Sequence, residues 1–346
     1  QGSDVPGSQP PMPPAPPAPP VLSNVRETGV QAPAVTTAKP SESATALAQD
    51  PFISSSRRFI STSEHRTIPR LFARAAVFRY APSMAEQTSP VKVEHRGNVG
   101  VLIIDRADRR NALSRETLYA LGRLGKELVQ DPTIRAIVVT GAGDKAFCAG
   151  ADLKERQGMT PDEVRKQVGL YRTELAVLDH SPKPVVAAIN GVAFGGGLEL
   201  ALICDLRVAA PHAELSLPET TLGIIPGAGG TQRLPRIIGE ARAKQMILLG
   251  RRFGAAEALT WGLVNRISPL DTPVLEDTIE WIEPIAYGAP IAQHAALEAI
   301  DASFDVSLDR GLELERVYYD ETLRSEDRVE ALRAFAEKRR PVFKGT

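Results

Sequence analysis

The chain has 346 residues, 43% hydrophobic and 24% charged, which suffices for a packed core of one large or two small domains. Lysine plus arginine (41) balance aspartate plus glutamate (42), so net charge gives no general attraction to nucleic acid or to a membrane surface. Two cysteines exclude a disulfide framework, five scattered histidines show no metal-ligand spacing, and no run of eighteen apolar residues is present to span a bilayer as a helix.

Residues 1–50 hold eleven of the 28 prolines before residue 41, mixed with Ala, Ser, Thr and Gln. Such a segment buries too little apolar surface to offset its ordering entropy and is expected to be disordered. Residues 51–90 differ. Across residues 51–83, Arg57, Arg58, Arg66, Arg70, Arg74 and Arg79 stand against a single acid, Glu64, among many Ser, Ala and Phe. Arginine-rich, serine-rich and acid-poor is the pattern of a mitochondrial transit peptide, and Arg57–Ser63 looks like a matrix-protease cleavage region. The matrix is therefore the expected location. A solvated basic linker, or a cytosolic protein started at Met84, are the alternatives.

The folded part begins near Val91. Val99–Asp105 (VGVLIID) reads as a strand, and Ser114 is placed to cap an amphipathic helix running to about Gln130. Arg135–Thr140 is a second strand and Gly141–Lys145 a turn. Thr160-Pro161-Asp162-Glu163 has the spacing of a capping box with proline at the first helical position, and opens a helix to about Leu178. Pro184–Ile189 is a third strand. Beyond Leu234 the spacing turns helical, at Ile237–Leu249, at Ala255–Thr260 and in several segments between Thr272 and Lys338. Strands alternating with helices, then helices alone, predict an α/β architecture with residues 91–270 as its core and 271–346 as a helical region.

The densest signal lies at residues 184–234. A β-type run leads through Asn190-Gly191 to three consecutive glycines, Gly195–Gly197, and then to Leu198–Cys204, which is apolar on all sides apart from Glu199. A helix apolar all round is buried, and its first turn has free backbone N–H groups able to hold an anion or a developing oxyanion. Glu199 sits in that turn. A glutamate there is either a partner of the helix macrodipole or a functional group, since carboxylates are seldom buried unpaired. A second carboxylate, Glu219, and a second glycine cluster, Gly227, Gly229 and Gly230, follow.

In order, Asn190-Gly191, Gly195-Gly196-Gly197-Leu198-Glu199-Leu200-Ala201, Cys204-Asp205, Pro218-Glu219, Leu222-Gly223 and Pro226–Leu234 resemble the crotonase, or enoyl-CoA hydratase/isomerase, superfamily. The resemblance runs from about Val91 to Thr346, and Asp105–Ser114 resembles the family's first CoA-contacting loop. It implies a spiral of ββα units followed by helices that build a trimer or a dimer of trimers. It implies a homo-oligomer acting on an acyl-CoA thioester, with no cofactor beyond the coenzyme A of the substrate and no membrane partner. The backbone amides of Ala151 and Gly196 would form the oxyanion hole. Glu199 would activate water and Glu219 would protonate Cα. Ala151, Asp152, Leu153, Lys154 and Gly196 would line the CoA path, and Phe335 and Lys338 would reach the CoA of a neighbouring subunit. Cys148, with no histidine nearby in sequence, reads as packing.

Ala151–Arg156 with Met159, and the run from Asp327 to Gly345, resemble the methylglutaconyl-CoA hydratase branch of the family, which acts in leucine degradation. A general short-chain hydratase of fatty acid β-oxidation, or an isomerase, is the alternative. That branch is also known for RNA binding through a lysine-rich first long helix. Here Arg115, Arg123, Lys126 and Arg135 face Glu116, Glu127 and Asp131, so RNA binding is not expected. A substrate with an extra carboxylate calls for a cation in the pocket, which the sequence does not identify.

Overall fold

The run VGVLII at Val99–Ile104 is apolar without alternation, as a strand covered on both faces must be. In the computed structural model, which describes residues 89–346, it forms β2 and pairs antiparallel with β1 (Val91–Arg96). Residues 1–50 and all but the last two of 51–90 lie outside the described residues. The remaining strands are β3 (Ala136–Gly141), β4 (Ala146–Cys148), β5 (Val185–Ile189), β6 (Val192–Phe194), β7 (Leu206–Ala209), β8 (Glu214–Ser216), β9 (Phe253–Gly254) and β10 (Arg266–Ile267).

Two sheets result. The larger has the order β1-β2-β3-β5-β7-β10 and is parallel from β2 onward. The smaller has the order β4-β6-β8-β9, with β4, β6 and β8 parallel. The chain alternates between them. β3, β5 and β7 each enter the large sheet, and β4, β6 and β8 each follow in the small one, after which the chain turns into a helix. That repetition is the expected spiral of ββα units.

The helices are α1 (Arg115–Gln130), α2 (Leu153–Arg156), α3 (Pro161–Glu174), α4 (Ala176–Asp179), α5 (Gly196–Ile203), α6 (Gly230–Ile238), α7 (Glu240–Leu249), α8 (Ala255–Thr260), α9 (Val274–Trp281), α10 (Glu283–Ala286), α11 (Pro290–Ala302), α12 (Leu308–Leu323) and α13 (Glu326–Ala336). Both predicted caps form. Ser114 accepts from the Thr117 N–H at 3.2 Å, and Thr160 and Glu163 cap each other reciprocally.

Two helices are shorter than their periodicity suggests. The helix opened at Thr160 breaks at Leu175, and its last turn continues as α4, which sinks Leu175 and Leu178 into the core. Small residues on α1 permit this: a Cβ on Gly122 would lie 2.9 Å from Glu174 O, and one on Gly125 3.2 Å from Leu178 Cδ2. The segment Ile237–Leu249 is two helices meeting at Gly239, whose φ of 83° is left-handed.

The core fills the space around the large sheet, where β3 and β5 bury every residue. At the C-terminal end the pattern reverses. α12 buries no residue, and Leu312, Val317, Leu332 and Phe335 stand exposed.

Candidate active site

Because β4, β6 and β8 are adjacent and parallel, their C-terminal ends lie side by side, and the chain leaving each one delivers part of a site. β4 leads to Ala151, β6 to Gly196 and Glu199, and β8 to Glu219. The first two exits approach closely, since a Cβ on Gly150 would lie 3.3 Å from Gly196 N. Gly195 turns the chain into α5 with φ 53° and ψ −125°, a conformation open to glycine. Gly197 is needed for another reason: a Cβ there would fall 2.1 Å from Cys148 O.

This packing aims two amides. The loop after β4 bridges to Leu113 through Leu113 N–H to Gly150 O (2.8 Å) and Asp152 N–H to Leu113 O (3.0 Å), which skips the Ala151 N–H between them. The Gly196 N–H opens α5 and, like that of Ala151, takes no backbone acceptor among the described residues.

Ala151 and Gly196 both line a cavity of about 510 Å³. Glu199, Glu219 and Leu153 line it too, with an apolar wall that includes Val164, Val168, Leu222, Ile224 and Ile225. Of the residues predicted from sequence, the structure therefore brings together Ala151, Leu153, Gly196, Glu199 and Glu219. Asp152 and Lys154 are not among the residues that line this cavity, and Phe335 and Lys338 were expected at the coenzyme A of a neighbouring subunit, a contact that a single chain does not contain. The Asp152 side chain has partners of its own. Its carboxylate caps α2, accepting from Lys154 N and Glu155 N, and pairs with Arg106 Nη2 at 2.8 Å. Lys154 is exposed, and Phe335 and Lys338 lie at the exposed end of α13.

The two glutamates differ in their surroundings. Glu199 Oε1 accepts two backbone hydrogen bonds, from Ala228 N (2.7 Å) and Gly230 N (2.8 Å), so the second glycine cluster serves to hold the first glutamate. Burial pushes its carboxyl above the ordinary glutamate range, and those two amides oppose the shift. Glu219 has no such support, and its Oε2 is buried without a hydrogen-bond partner. Burial, reinforced by the charge of Glu199, pushes it up to about 7, against its own backbone amide and Arg156. A carboxyl that titrates near neutrality beside one held by two donors is an arrangement suited to dividing a proton gain from a proton loss. Cys148 is fully buried, and burial pushes its thiol up to about 12, which agrees with a packing role.

The family model for enoyl-CoA hydratase/isomerase matches residues 94–346. The chain belongs to the enoyl-CoA hydratase/isomerase family. A mitochondrial enoyl-CoA hydratase of Pongo abelii is 40% identical over 278 residues, covering 80% of this chain and 91% of the relative. A mitochondrial methylglutaconyl-CoA hydratase 1 of Pyricularia oryzae is 37% identical over 330 residues, covering 80% and 92%. The crystal structure of an enoyl-CoA hydratase from Bacillus anthracis superposes with a TM-score of 0.72 at 46% identity, over 74% of this chain and all of the other.

Within this family member, several residues that position the site have no chemical signature of their own. Asn111 adopts a left-handed φ of 57°, and its Nδ2 donates to Ala142 O and Ala146 O. Asn190 Nδ2 donates to Gly141 O, Gly143 O and Ala146 O. Together they tie down the turn that carries the chain from β3 in the large sheet to β4 in the small one. Tyr171 was also invisible as a site residue. Its hydroxyl is buried at the cavity wall without a hydrogen-bond partner. A period of 3.6 marks Tyr171 as inward-facing but says nothing of what it faces.

Proposed function

We propose that this family member adds water across the 2,3 double bond of an enoyl-CoA thioester. The observation that carries the reading is the pair of buried glutamates, one held by two backbone amides and one with an unpartnered oxygen, in a cavity that Ala151 and Gly196 also line. The thioester carbonyl accepts from both amides. Glu199 takes a proton from water as the water oxygen bonds to Cβ, and the alkene electron pair moves toward the thioester carbonyl. The two N–H groups stabilise the charge gathering on that oxygen, an effect worth roughly 3–4 kcal/mol per donor. Glu219, partly protonated near neutral pH, delivers its proton to Cα. Exchange with solvent returns a proton to Glu219 and removes one from Glu199.

The finer reading is 3-methylglutaconyl-CoA as substrate, in leucine degradation in the mitochondrial matrix. The Ala151–Arg156 motif and a mitochondrial relative of that name support it. The exposed apolar residues of α12 and α13 support assembly as a trimer or dimer of trimers.

Glu199→Gln and Glu219→Gln test the mechanism. Each is expected to lower kcat for hydration by at least ~10²-fold, and the double variant by far less than the product. Near-normal hydration by Glu199→Gln with a small loss of Tm would reduce Glu199 to a partner of the helix macrodipole. Isomerisation of a 3-enoyl-CoA without hydration of the 2-enoyl ester would select the isomerase alternative.

A further inference from the structure

We infer that Arg156 selects acyl groups that end in a carboxylate, so that the cavity takes a dicarboxylic acyl-CoA with its free acid at this guanidinium. The inference rests on the hydratase reading above and names the feature of the substrate that the site recognises.

Arg156 ends α2 and is the one lysine or arginine among the residues that line the cavity. Its Nε donates to Gln167 Oε1 at 2.8 Å. Gln167 is itself almost wholly buried, and its Nε2 donates to Glu155 Oε2 at 2.9 Å. Glu155 Oε1 is in turn held by Arg115 Nε at 2.8 Å. The guanidinium is thus oriented from behind by a neutral carboxamide whose own position is fixed. Among the described residues Arg156 forms no ion pair, and its Nη1 and Nη2 form no hydrogen bond. The acid next to it in sequence, Glu155, is already committed to Arg115.

An arginine at the wall of a largely apolar cavity, held by one nitrogen and free at the other two, offers the fork that matches a carboxylate. A second unsatisfied donor, the Tyr171 hydroxyl, lies in the same cavity. The Tyr171 hydroxyl, buried without a partner, is unfavourable unless a ligand completes it, while Arg156 is half-buried. The cavity also needs this cation if its ligand is a diacid. Glu199 and Glu219 are already present, and a third carboxylate beside them would be repelled. The Arg156 charge acts at Glu199, Glu219 and Tyr171, lowering the proton affinity of each. All four residues line the one cavity, so the guanidinium shares it with both glutamates.

The test compares glutaryl-CoA with pentanoyl-CoA, two saturated esters of equal chain length that differ in ending in a carboxylate or a methyl group. Wild-type enzyme is expected to bind glutaryl-CoA at least about tenfold more tightly, as a charge-assisted pair supplies. In Arg156→Met that preference is expected to disappear, and in Arg156→Lys to be retained in part. Absence of the preference in wild type overturns the inference without needing any variant to fold. Equal weakening of both esters in Arg156→Met would also overturn it, by assigning the guanidinium to the CoA phosphates. So would an intact preference accompanied by a shifted pH profile for crotonyl-CoA hydration, which would make Arg156 a modulator of the glutamates. Failure of the hydratase reading is seen separately, as no turnover of either crotonyl-CoA or glutaconyl-CoA by wild type.

Discussion

In the large sheet β3 and β5 bury every residue, yet none of those residues lines the cavity. In the small sheet β4, β6 and β8 are three residues each, and the chain leaving them supplies both amides and both glutamates. Strands that short make few ladder bonds, so other devices must hold them. Two asparagine side chains fix the turn before β4, and glycines let backbone meet backbone without an intervening Cβ. Stability is thus concentrated where chemistry is absent, and chemistry where placement depends on a few contacts.

The contrast can be broken most directly at Gly197. A Cβ 2.1 Å from Cys148 O and 2.7 Å from Cys148 C meets backbone that cannot swing aside. Gly197→Ala is expected to displace the start of α5 from the end of β4 and to lower kcat/KM on the order of 10²-fold or more, as a misplacement of about 1 Å does. Activity near wild type would mean that the two loops do not depend on this approach.

A core substitution in the large sheet should behave in the opposite way. Ile137 is fully buried in β3, and Ile137→Ala is expected to lower the unfolding free energy by about 2–5 kcal/mol. The kcat of the protein that remains folded should stay at the wild-type value. A fall in kcat at temperatures well below the melting transition would show that the large sheet shapes the site more directly than its position implies.

The smallest effect, and the one that sharpens the contrast, concerns Glu219. Its folded pKa of about 7 lies above the ordinary 4.5, so the folded chain holds this proton more tightly than the unfolded chain does. The penalty is absent below about pH 4.5, grows as pH rises to about 7, and is complete above that. Glu219→Gln is therefore expected to raise Tm at pH 8, on the order of 5 °C, with the gain vanishing toward pH 4.5. A variant that melts earlier than wild type at pH 8 would place Glu219 among the residues that stabilise the small sheet. In wild type the alkaline limb of kcat/KM should fall near pH 7, where Glu219 loses its proton.

What could be read from sequence follows the same division. The apolar runs VGVLII, RAIVVT and PVVAAI are legible because a strand covered on both faces must be apolar throughout. The caps at Ser114 and Thr160 are legible because both partners lie within one turn. Glu199 stands out because a carboxylate in apolar surroundings needs a reason, and Glu219 through the resemblance that Pro218-Glu219 carries. Less was legible where partners are distant in sequence. The Asp152 side chain turned to Arg106, 46 residues away, and to the amides of its own helix. The orientation of Arg156 depends on Gln167, and Asn111 reads as an ordinary loop residue until the carbonyls it bonds are known. The break at Leu175 depends on which side chains α1 presents to it, which no local period encodes.

Asn190 and Gly191 form the dipeptide that ages fastest in flexible chains, because the unhindered glycine nitrogen can attack the asparagine amide and release ammonia. Here the amide nitrogen is held by three carbonyls, and a Cβ on Gly191 would lie 2.4 Å from Lys145 C, so both groups that must move to close the five-membered ring are packed in place. The reaction can proceed only while the junction between the two sheets is open. Each conversion would leave a carboxylate facing those carbonyls, and the junction would not close as before. Isoaspartate and aspartate at position 190 in a stored preparation thus act as a clock for the time this junction has spent apart.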